Sequence, residues 1–540
     1  MDLKKAESVR RKVGIFKCVN LTYYIFLVIL RFMSMGMFIV TPLILNNLIN
    51  DHVAISIIHV LIIILFLLGG HVLDLVITFI NNKVVADFNH KAMKHIYRII
   101  FNMSYDNYLK KEPMNLIENV RNVLAEYAGY YLTTIPTTIM NILIIVATLI
   151  IVASMSPFIA LLMLFTLPIN YFGFKALNKK LALFSNELRE KNSKSISDQN
   201  TIVSHTDFIK QNADNEPVVS MLANIHQKMW KLVGKVNNYA IGVSSSLSAV
   251  NIIISNLLTV LIAYMMLQDQ NFMGSGIFIV LVTPYFTRAV GALTNTNNSI
   301  AAVKAGDMLL AEILEGVAEN GTLILNSIDN ITMKIEEVKI DDLVLIEDVN
   351  MRFEKGDIIG IVGESGKGKS TLVKLITKFR EVDGIYLNET IDINETLTEK
   401  YLKLVSYYSQ NVPIISGTIL DNLNYGRTSI SEDNYKRLGF LDKFPNLEEY
   451  ISENGANLSA GDKQRIALAR FFTEDADIVI LDEPTSSLDE ETENQILTEI
   501  FQRKSDKIIF FITHKKDNLK FCTHTAELKE KSLIVEKNIG

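Results

Sequence analysis

Residues Gly363 to Ser370 read Gly-Glu-Ser-Gly-Lys-Gly-Lys-Ser, a pattern whose chemistry is phosphate binding. Glycines let the chain turn tightly, so that successive backbone N–H groups can converge on phosphate oxygens, and a helix N-terminus adds favourable partial positive charge. The flanks supply the required context: Asp357 to Val362 is a short apolar strand and Thr371 to Phe379 reads as a helix. Lys369 is expected to hold the β- and γ-phosphates of a nucleotide, and Ser370 a magnesium ion. The bare pattern would arise by chance in roughly one chain in fifty of this length, and its context lowers that further. A second run, Ile478-Val-Ile-Leu-Asp482-Glu483, is an apolar strand ending in two acids. Asp482 suits magnesium, directly or through water, and Glu483 is placed to polarise a water attacking a phosphate. Alone, such an ending is more often a strand end and its turn; behind a phosphate loop it becomes a strong signal.

The elements that must position these residues form the C-terminal part of a 540-residue chain with 49% apolar residues and a mean hydropathy of +0.24. Most of the apolar excess lies before residue 300. Six stretches approach the roughly 20 apolar residues that cross a bilayer core. They are Leu21 to Leu45, Ile55 to Phe79, Ile135 to Ser154, Pro157 to Ala176, Ile241 to Met266 and Gly274 to Leu293. A net charge of −6 argues against a broadly basic nucleic-acid binder, so no nucleic-acid partner is expected. Cys18 and Cys522 offer no disulfide framework.

Lysines and arginines mark the topology instead. Lys4, Lys5, Arg10, Arg11, Lys12 and Lys17 precede the first span and keep the N-terminus cytoplasmic; this basic start reads as a retained lead-in rather than a signal peptide. The short turns Asn46 to Ala54, Met155/Ser156 and Leu267 to Met273 have neither residue and face outside. The long connections, 81–134 and 177–240, hold Lys91, Lys94, Arg98, Lys110, Lys111, Lys179, Lys180, Arg189, Lys191 and Lys194, and are cytoplasmic. Their composition is helical, and an excursion out and back could reach some 35 to 40 Å below the membrane. Either they merely extend a bundle or they reach a cytoplasmic ATPase. Within the spans Arg31 is the costly residue. Arg31, His71 and Asp74 fall at similar depths, and an Arg31–Asp74 pair is expected, as a structural ion pair or as part of a substrate contact.

With these motifs in order, the chain resembles an ATP-binding-cassette (ABC) transporter subunit of the exporter type over nearly its whole length. Gln410, in Ser406-Tyr-Tyr-Ser-Gln-Asn, is similar to the family's Q-loop glutamine, and Leu458-Ser459-Ala460-Gly461-Asp462-Lys-Gln-Arg465 resembles its signature. Glu453 resembles the acid before the signature that touches the intracellular loops, Ser487-Leu488-Asp489 the D-loop, and His514 the switch histidine. A lone histidine is usually a surface or satisfied core residue; the position of His514, one strand beyond the acid pair, reverses that.

The resemblance implies a multidomain fold: an all-α six-span transmembrane bundle followed by an α/β P-loop ATPase domain. The expected organisation is a lead-in over 1–20, a transmembrane domain over 21–310, a linker over 311–331 and a nucleotide-binding domain over 332–540. Expected ATP contacts are Gly363, Glu364, Ser365, Gly366, Lys367, Gly368, Lys369, Ser370 and Thr371, with Ser459, Ala460 and Gly461 from the opposite subunit. Magnesium falls to Ser370, Gln410 and Asp482, and catalysis to Glu483, His514 and Gln410. ATP and magnesium are the cofactors, and the partners are a second copy, with a heterodimer as the alternative, the lipid bilayer and the transported substrate. Contact turns are placed near Ser104 to Leu109 and Ser204 to Phe208, where ordinary helix corners are nearly as good a reading.

Three departures stand out. Ala460 replaces a usual glycine and Asp462 a usual glutamine, so a working but slower site is expected. Asp342 stands where an adenine-stacking aromatic is usual, which could cost on the order of 1 to 3 kcal/mol of nucleotide binding. Lys367 adds a cation to the loop, most simply a solvated one. The expected function is ATP-driven export of a peptide, hydrophobic small molecule or lipid across the cell membrane of a bacterium. The rivals are an exporter-shaped importer of a metal chelate, an ATP-gated channel or sensor, and, if the spans fail, a soluble cassette ATPase.

Overall fold

A computed structural model describes residues 3–14, 17, 20–51, 53–111, 113–204, 209–211, 215–318, 320–340, 343–364, 368–410, 412–425, 440–472, 476–485, 490–503, 506–529 and 531–538. The chain divides into two units: Met1–Met103 with Asn107–Val317, and Ser104–Asp106 with Ala318–Gly540.

The first unit is helical. Its elements are α1 (Leu3–Lys12), α2 (Leu21–Asn50), α3 (Ile57–Phe101), α4 (Tyr105–Lys110, begun in the second unit), α5 (Pro113–Ala128), a π-helical turn Gly129–Thr134, α6 (Ile135–Met155), α7 (Pro157–Ser204), α8 (Asn215–Gln268) and α9 (Met273–Glu315). Among the described residues, five helical stretches are long and apolar enough to cross a membrane: Leu21–Asn50, Ile57–Phe101, Asn115–Met155, Glu216–Gln268 and Gln270–Leu293. The fourth expected crossing is the shorter apolar run Pro157–Phe172 that opens α7. With 45 residues in α3 and 54 in α8, these helices far exceed what a bilayer core needs at about 1.5 Å per residue. Their surfaces are apolar outward, with Ile57, Leu65, Phe79, Val260 and Leu267 all exposed, as suits lipid-facing positions.

Beyond the apolar runs the spacing changes to one buried stripe. Phe88, Ala92, Ile96 and Ile100 recur every four residues on α3 and pack with Leu116, Val120, Leu124 and Tyr127 of α5 and with Val303, Leu310 and Ile313 of α9. A polar knot is buried beside this core. Arg10 of α1 grips Asp307 of α9 with both Nε (2.7 Å) and Nη2 (2.5 Å), Tyr127 donates to the same carboxylate (2.6 Å), and Arg10 Nη1 donates to the Tyr131 hydroxyl (2.8 Å). The hydrogen bond to Asp307 lifts the Arg10 guanidinium above its ordinary range despite burial.

The expected Arg31–Asp74 pair does not form. Arg31 donates to the Thr137 hydroxyl of α6 at 2.5 Å, while Asp74 accepts from the Ser34 hydroxyl at 2.6 Å. Each charge meets a hydroxyl of a neighbouring helix instead of the other charge, while the buried Arg31 Nε has no hydrogen-bond partner among the described residues. A second cation, Arg288, lies exposed on α9 within the last span and has no hydrogen-bond or ion-pair partner among the described residues.

The second unit is built on a ten-stranded sheet ordered β5-β4-β1-β2-β12-β11-β3-β10-β9-β6. The strands are β1 (Asn330–Ile340), β2 (Leu343–Glu354), β3 (Ile358–Gly363), β4 (Ile385–Leu387), β5 (Ile391–Asp392), β6 (Val405–Tyr408), β9 (Ile478–Asp482), β10 (Ile508–Ile512), β11 (His524–Lys529) and β12 (Ser532–Lys537); β7 (Gly417–Thr418) and β8 (Tyr450–Ile451) pair separately. The helices are α10 (Lys369–Ile376), α11 (Thr398–Tyr401), α12 (Ile419–Asn424), α13 (Phe440–Lys443), α14 (Ala460–Phe472) and α15 (Glu490–Arg503). Strands β11, β3, β10, β9 and β6 run parallel. Because β9 and β10 are covered on both faces, they read as unbroken apolar runs. Side chains alternate between the faces: Ile480, Phe510 and Ile512 join the α10 core, while Val479, Phe511 and Leu481 pack with Leu497, Ile500 and Phe501 of α15.

Candidate active site

Parallel neighbours bring their carboxyl ends to one edge of a sheet, and here four of those ends carry the predicted residues. Register places Ile512 of β10 beside both Asp482 of β9 and Ile361 of β3, so the segments beyond them share one edge. Gly363 ends β3, Gln410 follows β6, Asp482 ends β9 and His514 follows β10. At Gly363 the backbone has φ of +155°, and a Cβ there would stand 3.1 Å from the Leu528 carbonyl. Gly368, with φ of +109°, makes the turn into α10. Ser365, Gly366 and Lys367 lie outside the described residues, as do Asp342, Ser487-Leu488-Asp489 and the 205–208 part of the second contact turn.

Lys369 opens α10 and folds back over the loop, donating from Nζ to the Gly363 carbonyl at 2.6 Å and the Glu364 carbonyl at 3.2 Å. Burial pushes its pKa down, and the charges of Glu483 and Asp482 oppose that. Ser370 is exposed and Thr371 buried in the same helical turn. Asp482 is buried, with its carboxyl raised above the ordinary range first by desolvation and then by the charge of Glu483. The Tyr407 hydroxyl lies 3.5 Å from it.

Glu483 has its backbone in the left-handed region (φ +48°), an uncommon conformation for a residue other than glycine. Its carboxylate stands between two of the predicted residues. Oε2 accepts from Gln410 Nε2 at 3.0 Å, and Oε1 lies 2.9 Å from His514 Nε2. Gln410, Glu483 and His514 thus form one connected group, with part of the carboxylate still open to solvent. Its remaining lone pairs can accept from a water, which is what a general base requires. The Gln410 amide nitrogen points to Glu483, leaving its carbonyl oxygen free. With the Ser370 hydroxyl and the Asp482 carboxylate, this gives an all-oxygen donor set that fits a hard divalent cation. Among the described residues no cluster of three or more His, Cys, Asp and Glu could hold a metal unaided.

Ser459, Ala460 and Gly461 open α14 and share no hydrogen bond with the Glu483 group among the described residues. Glu453 is exposed at the start of a 3₁₀ turn. The first contact turn is partly a property of the second unit, to which Ser104–Asp106 belong. Within that unit Tyr105 stacks on Phe379 at 5.3 Å, Lys374 lies 5.1 Å from the centre of the Tyr105 ring, and Asp106 pairs with Arg380 at 2.8 Å.

One residue the motifs missed is Glu493 of α15, which is buried. Its carboxylate accepts from Thr485 (2.8 Å), Asn518 (2.9 Å) and Lys515. Burial would raise its pKa, but these hydrogen bonds outweigh it and hold the carboxyl below the ordinary range. Glu493 therefore ties the segment after Glu483 to the segment after His514. Its place in the acidic first turn of α15 gave it the look of a solvated helix start.

Comparison with known proteins agrees with this geometry. The family model described as ABC transporter matches residues 346–486. The ATP-dependent lipid A-core flippase of Legionella pneumophila (strain Lens) is 24% identical over 485 residues, covering 85% of this chain and 80% of that protein. The enzyme of the same name from Idiomarina loihiensis is 31% identical over 265 residues (45% of each chain), and that of Escherichia coli (strain K12) 32% over 212 residues (37% and 34%). A solved bacterial Atm1-family ABC exporter with ATP bound superimposes with a TM-score of 0.81 at 16% identity, over 95% of this chain and 94% of that one. Fold and site define a membrane-embedded, ATP-driven transport enzyme. Residues 346–486 match an ABC transporter domain, and the chain, a multi-pass helical bundle fused to that ATPase domain, is similar over most of its length to ABC exporters.

Proposed function

We propose that the chain is one half of a dimeric exporter that hydrolyses ATP with magnesium and moves an amphipathic or hydrophobic substrate across a cell membrane. Its N-terminus and ATPase unit lie in the cytoplasm, and a bacterial membrane is the setting that its named relatives favour. The observation that carries this is the Glu483 carboxylate held between Gln410 and His514 at the carboxyl edge of the phosphate-loop sheet.

In this reading Lys369 and the backbone of 363–371 hold the phosphates, and Ser459, Ala460 and Gly461 of a second copy cover them. Ser370, Asp482 and Gln410 hold magnesium, which when bound neutralises phosphate charge. Glu483 takes a proton from a water as its oxygen bonds to the γ-phosphorus. The bond from that phosphorus to the β–γ bridging oxygen breaks, leaving ADP and phosphate. His514 orients Glu483 and donates toward the γ-phosphate. Closure over ATP and its release after hydrolysis then bias the membrane helices between two states, with α4 as the candidate transmitter. Of the substrate classes considered, peptide, hydrophobic small molecule and lipid, relatives named as lipid A-core flippases favour lipid.

Glu483→Gln is expected to bind ATP yet lose about 10²- to 10⁴-fold in turnover, and Lys369→Ala to lose both binding and turnover. Radiolabelled ATP binding and phosphate release by the purified chain in lipid nanodiscs measure both. Normal turnover in either variant would overturn the site, and failure of any lipid to stimulate the wild type would turn the substrate reading toward peptides or small molecules.

A further inference from the structure

The signature helix α14 is capped in a way that bears on ATP. Ser459 precedes its first turn, and Asp462 is three residues on, in the position of a capping-box acid. The Ser459 hydroxyl donates to Asp462 Oδ2 at 2.7 Å, the Ser459 N–H donates to the same oxygen at 3.2 Å, and the Asp462 N–H donates back to Ser459 Oγ at 3.1 Å. A serine hydroxyl has one proton to give, and here it goes to a carboxylate in a short, charge-assisted bond. Among the described residues the cation paired with Asp462 is Lys443, 3.7 Å from Oδ1 and half exposed, too loosely placed to cancel the charge. A cap needs only an acceptor. The negative charge is surplus to capping, and it sits beside the hydroxyl that would meet a γ-phosphate.

We infer that Asp462 is a positioning residue that turns the Ser459 hydroxyl away from ATP and sets the nucleotide concentration at which the composite site closes. The inference rests on the two-copy site proposed above. Engagement of a phosphate requires the hydroxyl to leave Asp462, and the carboxylate then repels the triphosphate across the interface. Neutral residues of similar reach would keep the acceptor and remove both obstacles, whereas glutamate would keep the charge.

The test uses the full chain in nanodiscs. Asp462→Asn and Asp462→Gln are each expected to lower the KM for ATP about three- to tenfold with kcat within about twofold, the scale of one partly solvated charge near a phosphate. Asp462→Glu is expected to keep the wild-type KM. In a Glu483→Gln background, the ATP concentration for half-maximal retention of radiolabelled ATP through gel filtration is expected to fall by the same factor in the neutral variants. If Glu483→Gln retains no ATP at any concentration, the two-copy site itself is wrong. If ATP is retained but the midpoint and KM do not move, or move equally with Asp462→Glu, Asp462 is a helix cap only. Should one neutral variant fail to fold, the other still decides.

Discussion

Asp307 in the membrane unit and Glu483 in the ATPase unit are both carboxylates held by groups distant in sequence, yet they are held differently. Asp307 is 1% exposed, and both its oxygens are taken, by the fork of Arg10 and by Tyr127. Glu483 is 19% exposed on its side chain and meets one amide and one imidazole, with its backbone in the left-handed region. The first arrangement is closed and fastens α1 to α9. The second leaves lone pairs for water. Full pairing without solvent marks a structural carboxylate, and partial pairing on a constrained backbone marks one kept for chemistry.

That contrast breaks most visibly when the closed knot is opened from one side. Arg10→Leu leaves Asp307 buried without its cation, and about 3 to 5 kcal/mol of stability is expected to go with it. Arg10→Leu with Asp307→Leu is expected to recover much of that, because no charge is then left in the core. Thermal melts of the detergent-purified variants measure both. If Arg10→Leu alone melts with the wild type, the knot is not the closed device described here.

These two carboxylates were not equally legible in the sequence. Lys369, Gln410, Asp482, Glu483 and His514 stand in motifs tied to strand ends, and a parallel sheet brings strand ends to one edge whatever lies between them. The same reasoning found the apolar helices, because length and hydropathy are local properties. Arg10 and Asp307 are 297 residues apart in no motif, and Arg10 was read only as a topology marker. Arg288 was passed over because a single charge barely lowers the mean hydropathy of its span. Glu493 was hidden in the acidic start of α15, where solvated acids are ordinary.

Glu493 sharpens the contrast from inside the ATPase unit, since it is a closed carboxylate that serves an open one. It ties Thr485, two residues past Glu483, to Lys515, which follows His514. Glu493→Gln keeps most of the hydrogen bonds but loses the ion pair. The expected result is a fall of about tenfold in kcat with the KM for ATP within about twofold, since binding groups on the phosphate loop are untouched. A matching rise in KM would mean that Glu493 supports the whole lobe rather than the placement of Glu483 and His514.

The smallest expected effect concerns Arg31 and Asp74. Similar depth made them natural partners, because both were counted along helices while the hydroxyls of neighbouring helices were not. Arg31 instead donates to Thr137, and Asp74 accepts from Ser34. Each charge thus meets one neutral oxygen, with Arg31 Nε left unpaired among the described residues, and the attraction between the two charges is only what remains at longer range. In a double-mutant cycle, Arg31→Leu and Asp74→Leu are expected to add to within about 0.5 kcal/mol, as independent sites do. A coupling well above that, read from melts of the two single variants and the double, would restore the ion pair. It would also move Arg31 from the partly paired class, where Glu483 stands, to the closed class of Asp307.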